Sequence, residues 1–227
     1  MPHWATVSLR RTEHAGVFTD GSWLHTRNLV PGVSVYGERL SREGGVEYRR
    51  WDADRSKLAA YLKKGGRVWP FDATSSVLYL GAGSGTTVSH LSDICAEGAI
   101  VAVEISPRVF RDLIAVAGRR PNVVPILGDA SQPASYRAHV APVDVLYQDV
   151  AQRDQEGIFL KNVEFLRRGG IGFLIVKARS VDVSAKPIDV YARIQRELSN
   201  RDLEVLDVRA LDPFERDHAA VVARRGA

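Results

Sequence analysis

Cysteine is nearly missing from this sequence: Cys95 is the only one in 227 residues. That excludes a disulfide within the chain and a zinc site built on cysteine, and it makes a reducing compartment the expected surrounding. Long apolar runs are missing too. No stretch approaches the roughly 18–20 apolar residues that a membrane helix needs. The opening MPHWATVSLRRTEHAG lacks the apolar core of a signal peptide. A cytoplasmic protein is therefore expected. The six histidines, His3, His14, His25, His90, His139 and His218, fall at no metal-ligand spacing, so no metal is expected. Charge of one sign is also scarce: 31 Lys+Arg against 27 Asp+Glu leave +4. This mild excess suits a polyanionic partner without arguing for one.

Two patterns divide what is present. Up to about Pro70, apolar and polar residues alternate between turn signals. Val7-Ser8-Leu9, Gly16-Val17-Phe18, Trp23-Leu24-His25, Val33-Ser34-Val35-Tyr36 and Val46-Glu47-Tyr48-Arg49 read as short strands, punctuated by Asp20-Gly21, Pro31-Gly32 and Gly44-Gly45. A small antiparallel β unit over residues 1–70 is predicted, with a helix near Ser56–Lys64 that Gly65-Gly66 ends. Over residues 71–227 short β-branched runs alternate with amphipathic stretches. VLYLG, AIVAVE, VVPIL, VDVLYQ and IGFLIVK read as buried strands; Thr87–Cys95, Pro107–Ala117, Gln155–Arg167 and Ile188–Leu198 read as helices. Such alternation predicts an α/β fold, a mostly parallel sheet with helices on both faces. LEVLDVRAL and HAAVVARR follow with only a turn around Asp212-Pro213 between them, so the last strand is predicted antiparallel.

The first strand of the second pattern runs into Gly81-Ala82-Gly83-Ser84-Gly85-Thr86-Thr87 and then a helix. Glycines serve where the backbone turns sharply and a ligand must come close. The spacing G-x-G-x-G is one residue shorter than the dinucleotide fingerprint, which weakens the case for a pyrophosphate. Glu104 ends the next strand, about 20 residues on, where a carboxylate can accept both ribose hydroxyls. Asp129, in Leu127-Gly128-Asp129-Ala130, ends the third strand and can accept from an adenine amino group. Each carboxylate alone is ordinary, a solvated strand end or a turn residue. Jointly, at the carboxyl ends of consecutive strands, they favour an adenosine site over a nicotinamide one.

LVPGVSVYGERL, YRRWDADRSKLAAYL, VLYLGAGSGTTVSHLSDI, EISPRVFRDL, NVVPILGDAS, DVLYQDVAQ and GFLIVKARSVD closely resemble fibrillarin in its shorter, archaeal-type form, from about Val30 onward. No Gly/Arg-rich N-terminal extension of the eukaryotic type is present. The resemblance implies a class I methyltransferase fold with a seven-stranded sheet and an antiparallel final strand. It implies S-adenosylmethionine as cofactor and methylation of the ribose 2′-hydroxyl of rRNA and tRNA. The implied partners are a box C/D guide RNA, a Nop-family scaffold protein and a kink-turn-binding ribosomal-type protein. The cofactor residues it implies, beside Gly81, Gly83 and Gly85, are Thr86, Thr87, Glu104, Ile105, Asp129, Ala130, Asp149, Val150, Ala151 and Gln152. Two positions depart from the pattern: Ile105 stands where an aromatic is expected beside the adenine, and Gly83 where alanine is common.

Methyl transfer from a sulfonium to an alcohol needs an aligned hydroxyl, help in removing its proton, and a dry cavity. Asp149 follows the strand VDVLYQ and Lys177 ends IGFLIVK, so both belong to one crevice at the strand ends. With Lys57 they are similar to the Lys-Asp-Lys constellation of RNA ribose methyltransferases. In that role Lys177, its pKa lowered by partial burial, takes or polarises the hydroxyl proton; Asp149 orients it and Lys57 stabilises oxyanion charge. His218 is a candidate fourth member or a hydrogen-bonded structural histidine. Arg49, Arg50, Arg55 and Arg179 are candidates for holding phosphates, whereas Arg108, Arg111, Arg119 and Arg120 read as a solvated helix face more than as an RNA track. A methyltransferase acting on protein or small molecules, and a non-catalytic cofactor-binding subunit, are the competing readings. Intact Asp149 and Lys177 speak against the last.

Overall fold

The computed structural model describes residues 8–226; Val7 and His3 lie outside the described residues. Strands β1 (Arg10–Arg11), β2 (Val17–Thr19), β3 (Leu24–Arg27), β4 (Leu40–Glu43) and β5 (Val46–Trp51) form an antiparallel sheet in the order β1-β2-β3-β5-β4. Two of its members differ from expectation. Residues 33–36 form no strand, because the N–H groups of Val35 and Tyr36 donate to the Glu38 carboxylate at 2.8–3.0 Å and are withdrawn from any ladder. Leu40–Glu43 pairs with β5 in their place, turning at Gly44-Gly45, both at positive φ. Ser8 and Leu9 precede β1, and the Leu9 N–H donates to the Glu43 carboxylate at 3.1 Å.

Helix α1 (Lys57–Lys63) starts at Ser56, whose hydroxyl accepts from the Ala59 N–H. Leu58 through Leu62 are all buried, so the helix is enclosed between the two sheets. The Tyr61 hydroxyl donates to Asp207 at 3.0 Å, and its ring meets Phe173 edge-on. Gly66 ends the segment against the same ring, where any Cβ would overlap it.

The remainder is α/β: β6 (Ser76–Leu80), α2 (Thr86–Ile94), β7 (Ala99–Glu104), α3 (Pro107–Ala117), β8 (Val123–Leu127), β9 (Val143–Gln148), α4 (Gln155–Asn162), β10 (Leu166–Lys177), α5 (Ala178–Val181), α6 (Pro187–Ser199), β11 (Leu203–Ala210) and β12 (His218–Arg225). The seven strands are ordered β11-β12-β10-β9-β6-β7-β8. Among them β12 alone runs antiparallel, inserted between β10 and β11. The helix expected over Gln155–Arg167 stops at Asn162. Its buried side chain is taken by the Ala130 carbonyl and the Tyr136 hydroxyl, and Leu166 already pairs with Val143 in the sheet.

Strand alternation sorts the core. Val77 and Tyr79 of β6 face a cluster with α1, α2 and the N-terminal sheet; Leu78 and Leu80 face one with α4 and α6. The first cluster joins Val17, Leu24 and Trp51 to Phe173 and Val222, so both sheets share one apolar core. Among the described residues no helix is long and apolar enough to cross a membrane.

Candidate active site

The site is built where β6, β7 and β9 end. Gly81, Gly83 and Gly85 all have positive φ, at 77, 58 and 91°, and Thr86 opens α2. A Cβ on Gly81 would collide with the Asp149 backbone carbonyl, because β9 passes directly beside the turn. The Gly83 N–H donates to Glu104 Oε2 and the Ser106 N–H to Oε1, both at 2.8 Å. Glu104 is thereby fixed as an acceptor with a free lone pair on each oxygen.

A cavity of about 550 Å³ opens above the turn. Gly81, Gly83, Glu104, Ile105, Ala130, Asp149, Val150, Ala151, Gln152 and Lys177 line it. Ile105 is 54 % exposed, an apolar face with nothing packed over it. A Cβ on Gly83 meets no atom within 4 Å, so the space above it is open. Residues missing from the lining hold the wall from behind. The Asp129 carboxylate accepts from the Ser131 N–H (2.8 Å) and the Gln152 amide (3.1 Å), bonds that keep its pKa below the usual range. The Thr87 and Ser56 hydroxyls meet at 2.9 Å, tying α2 to the start of α1. Thr86 offers its carbonyl to Ser89, and Gly85 caps α2.

At one end of the cavity three elements bring charges together. Asp149 Oδ2 lies 3.0 Å from Lys57 Nζ, and Oδ1 lies 3.3 Å from Lys177 Nζ. Glu215 Oε1, on the connection between β11 and β12, lies 3.6 Å from Lys57 Nζ. The four side chains are 15–26 % exposed. Burial works to lower the pKa of Lys57, but Asp149 and Glu215 outweigh it and raise the pKa above the ordinary lysine value. Behind Asp149 the rings of Tyr79 and Tyr147 lie 4.6 Å apart, fully enclosed; burial keeps both phenols protonated and unfit as bases.

Glu215 is the member that sequence reasoning missed. Its only trace there is the charged run Glu215-Arg216-Asp217-His218 before the last strand. His218 stands opposite Lys177 in the β10–β12 register, its Nδ1 2.7 Å from the Arg216 carbonyl.

The arginines are distributed differently from expectation. Arg49 cannot hold a phosphate: it is fully buried, donating to Glu38 at 2.6 Å and to Asp93 at 2.9 Å. Arg120 is not on a solvated face either, since it is 2 % exposed and bonded to Asp93 at 2.6 Å. Arg50 packs on the Trp23 ring, Arg55 lies over Tyr36, and Arg179 pairs with Asp217 at 3.1 Å.

An anchored carboxylate, an uncovered apolar side chain and open glycine backbone suit an adenosine moiety. The lysines paired with Asp149 stand at the edge of the same cavity. The chain matches the fibrillarin family model over residues 9–226. It is 47% identical over 226 residues to a fibrillarin-like rRNA/tRNA 2′-O-methyltransferase of Pyrococcus horikoshii, covering 96% of this chain and 99% of that one. Aeropyrum pernix fibrillarin, solved with natively bound S-adenosyl-L-methionine, superposes with a TM-score of 0.89 at 49% identity, over 97% of this chain and 99% of that one. A fibrillarin solved as a fibrillarin/Nop5p complex gives 0.87 at 40% identity, over 95% and 100%. The seven-stranded mixed sheet is that of α/β methyltransferases, and the chain belongs to the fibrillarin family.

Proposed function

We propose that the chain methylates the ribose 2′-hydroxyl of rRNA and tRNA, using S-adenosylmethionine, as the catalytic subunit of a ribonucleoprotein. The observation that carries this is the Asp149 carboxylate, in ionic contact with Lys57 and Lys177 at the edge of the Glu104 cavity. Bound S-adenosylmethionine supplies a methyl group on a sulfonium, whose carbon–sulfur bond breaks as the oxygen–carbon bond forms. Glu104 accepts from the ribose hydroxyls of its adenosine, Ile105 packs on the base, and Asp129 with Ala130 bounds the base edge. The turn from Gly81 to Thr87 and the run Asp149–Gln152 enclose the remainder.

The chain's own groups manage the proton. Lys177 lines the cavity and has one carboxylate neighbour, so it faces the incoming hydroxyl and takes or polarises its proton. Asp149 orients Lys177. Lys57, held between Asp149 and Glu215, stays charged and stabilises the developing oxyanion. Holding the hydroxyl in line contributes several kcal/mol, given effective molarities of roughly 10⁵ M or more.

Selection of the nucleotide falls to partners. With +4 over 227 residues the chain is weakly charged for an autonomous RNA binder. The supporting likeness is to the fibrillarin of the Nop5p complex, and we assign this chain a Nop-family scaffold, a kink-turn-binding ribosomal-type protein and a box C/D guide RNA in the cytoplasm. Residues 1–70 and 71–227 are taken as its two units.

Reconstitution tests the reading. The isolated chain with labelled cofactor and RNA transfers little methyl, whereas the complete guide complex labels one programmed 2′-hydroxyl. Efficient unguided methylation of a protein or metabolite would replace it with the alternative enzyme class.

A further inference from the structure

Two glutamines behind the Asp149 cluster are completely enclosed: Gln148, the last residue of β9, and Gln155, the first of α4. A buried carboxamide is costly unless its hydrogen bonds are met, so its partners show what it does. The Gln148 amide donates to the Gln155 carbonyl at 2.6 Å. Gln155 Oε1 accepts from the Lys177 N–H at 2.8 Å, and Gln155 Nε2 donates to the Lys177 carbonyl at 3.4 Å. Gln155 is itself held in place, because Asp154 caps α4 by accepting from the Gly157 N–H at 3.0 Å.

The sheet explains why Lys177 needs this partner. Strands β9 and β10 pair as far as Gln148 opposite Leu174, and Ile175, Val176 and Lys177 run on past that pair. On its other edge β10 stays paired with β12 up to Lys177 opposite His218. The next N–H, that of Ala178, donates to the Asp217 carbonyl at 3.0 Å on the same edge. Successive N–H groups of a strand point to opposite edges, so the Lys177 N–H points to the edge that β9 has left. There it would be an unpaired backbone donor. A carboxamide carries the donor and the acceptor of a peptide unit, and Gln155 supplies both in place of the missing strand.

We infer that Gln155 is a positioning residue for methyl transfer. It holds the end of β10 so that Lys177 Nζ stays beside Asp149. Through Gln148, the residue before Asp149, it also ties together the two strand ends that carry the ion pair. Neither glutamine lines the cofactor cavity, so the effect reaches the reactants through Lys177. The inference rests on the role given to Lys177 above and deepens it: the lysine acts from a main chain clamped on both edges.

The test is single-turnover methyl transfer by the assembled complex carrying Gln155→Met, which keeps length and removes both bonds to Lys177. The rate at saturating RNA and cofactor should fall about 10- to 100-fold, the scale of a misplacement of about 1 Å. Cofactor affinity of the isolated chain should stay within twofold. The same substitution added to Lys177→Ala should cost less than twofold more, because its effect passes through the lysine that is already gone. Should Gln155→Met fail to fold, Gln148→Met cuts the other link of the bridge and is judged by the same cycle. A single-variant rate within twofold of the unsubstituted complex overturns the inference. So does an equal loss with and without Lys177, which is the mark of a merely structural glutamine. No transfer by the unsubstituted complex overturns the RNA reading itself and this inference with it.

Discussion

Two clusters of opposite charges, one on α2 and the other where Lys57 of α1 meets the strand ends, are built to different standards. Beneath the N-terminal sheet, Asp93 accepts from Arg49, Arg120, Thr26 and the Leu29 N–H at 2.6–3.0 Å. Glu38 takes the other edge of Arg49 at 2.6 Å, and His90 is bonded at both ring nitrogens while stacked on Trp51. The side chains of Arg49, Asp93 and His90 are wholly enclosed. Around Asp149 the contacts are 3.0–3.6 Å, the side chains remain partly exposed, and Oδ1 makes an ionic contact without a formed hydrogen bond. The bonds of Arg49, Glu38, Asp93 and His90, made in nearly full burial, fix one geometry, because breaking any of them strands a polar or charged group away from water. Unsaturated bonds beside a cavity leave capacity for a reactant. The first cluster is structure; the second is where we propose that the chemistry takes place.

That contrast breaks most sharply at Asp93. Asp93→Ala leaves Arg120 without its counter-ion and Arg49 short of one, and should lower unfolding free energy by about 3–5 kcal/mol in a denaturant titration. A loss below about 1 kcal/mol would put the buried cluster on a par with a surface ion pair. Lys177→Ala should do the opposite: a methyl-transfer rate down about 100-fold or more, with stability changed by less than about 0.5 kcal/mol. Near wild-type turnover would remove the lysine from the mechanism.

The pH dependence sharpens the comparison further. Burial holds the His90 pKa well below 6.5, helped by the charges of Arg49, Arg120 and His25. The unfolded chain therefore takes up a proton at His90 as pH falls through 6.5, and the folded chain does not. Stability is full above that value and declines below it, by about 1.4 kcal/mol per pH unit for this group. Denaturation midpoints measured from pH 7 to 5 should show the decline, and His90→Gln should make it shallower, leaving the share of His14 and His25, whose pKa values burial also lowers. Lys57, with its pKa raised, contributes no slope in that window, since it is charged in both states. The smallest effect is expected at Ile105. Ile105→Phe should tighten cofactor binding by about 0.5–1 kcal/mol, a two- to fivefold change visible by calorimetry, because a ring stacks on a base where an aliphatic side chain only covers it.

Much of this was legible in the chain. The parallel strands announce themselves as β-branched runs, since strands covered on both faces have no polar side to display. The glycine turn, Glu104 and Asp149 were readable because each follows directly from a strand end. The errors share one origin. Val33–Tyr36 has the apolar pattern of a strand, but Glu38 captures its N–H groups. Arg49 and Arg120 look like surface cations, and only the fold supplies the buried Asp93 that encloses them. Glu215 looks like one charge in a run until β12, inserted beside β10, carries the preceding loop to Lys57.

The sequence by itself determined the alternation of elements and the placing of the glycine turn, Glu104, Asp149 and Lys177 at the strand ends, because these depend on local periodicity and on strand ends in one sheet. Only the tertiary structure decided which charges are sealed and which face the cavity. Burial and pairing are properties of what packs against a residue, and for Arg49, Lys57 and Arg120 the decisive partners lie 27 to 158 positions away.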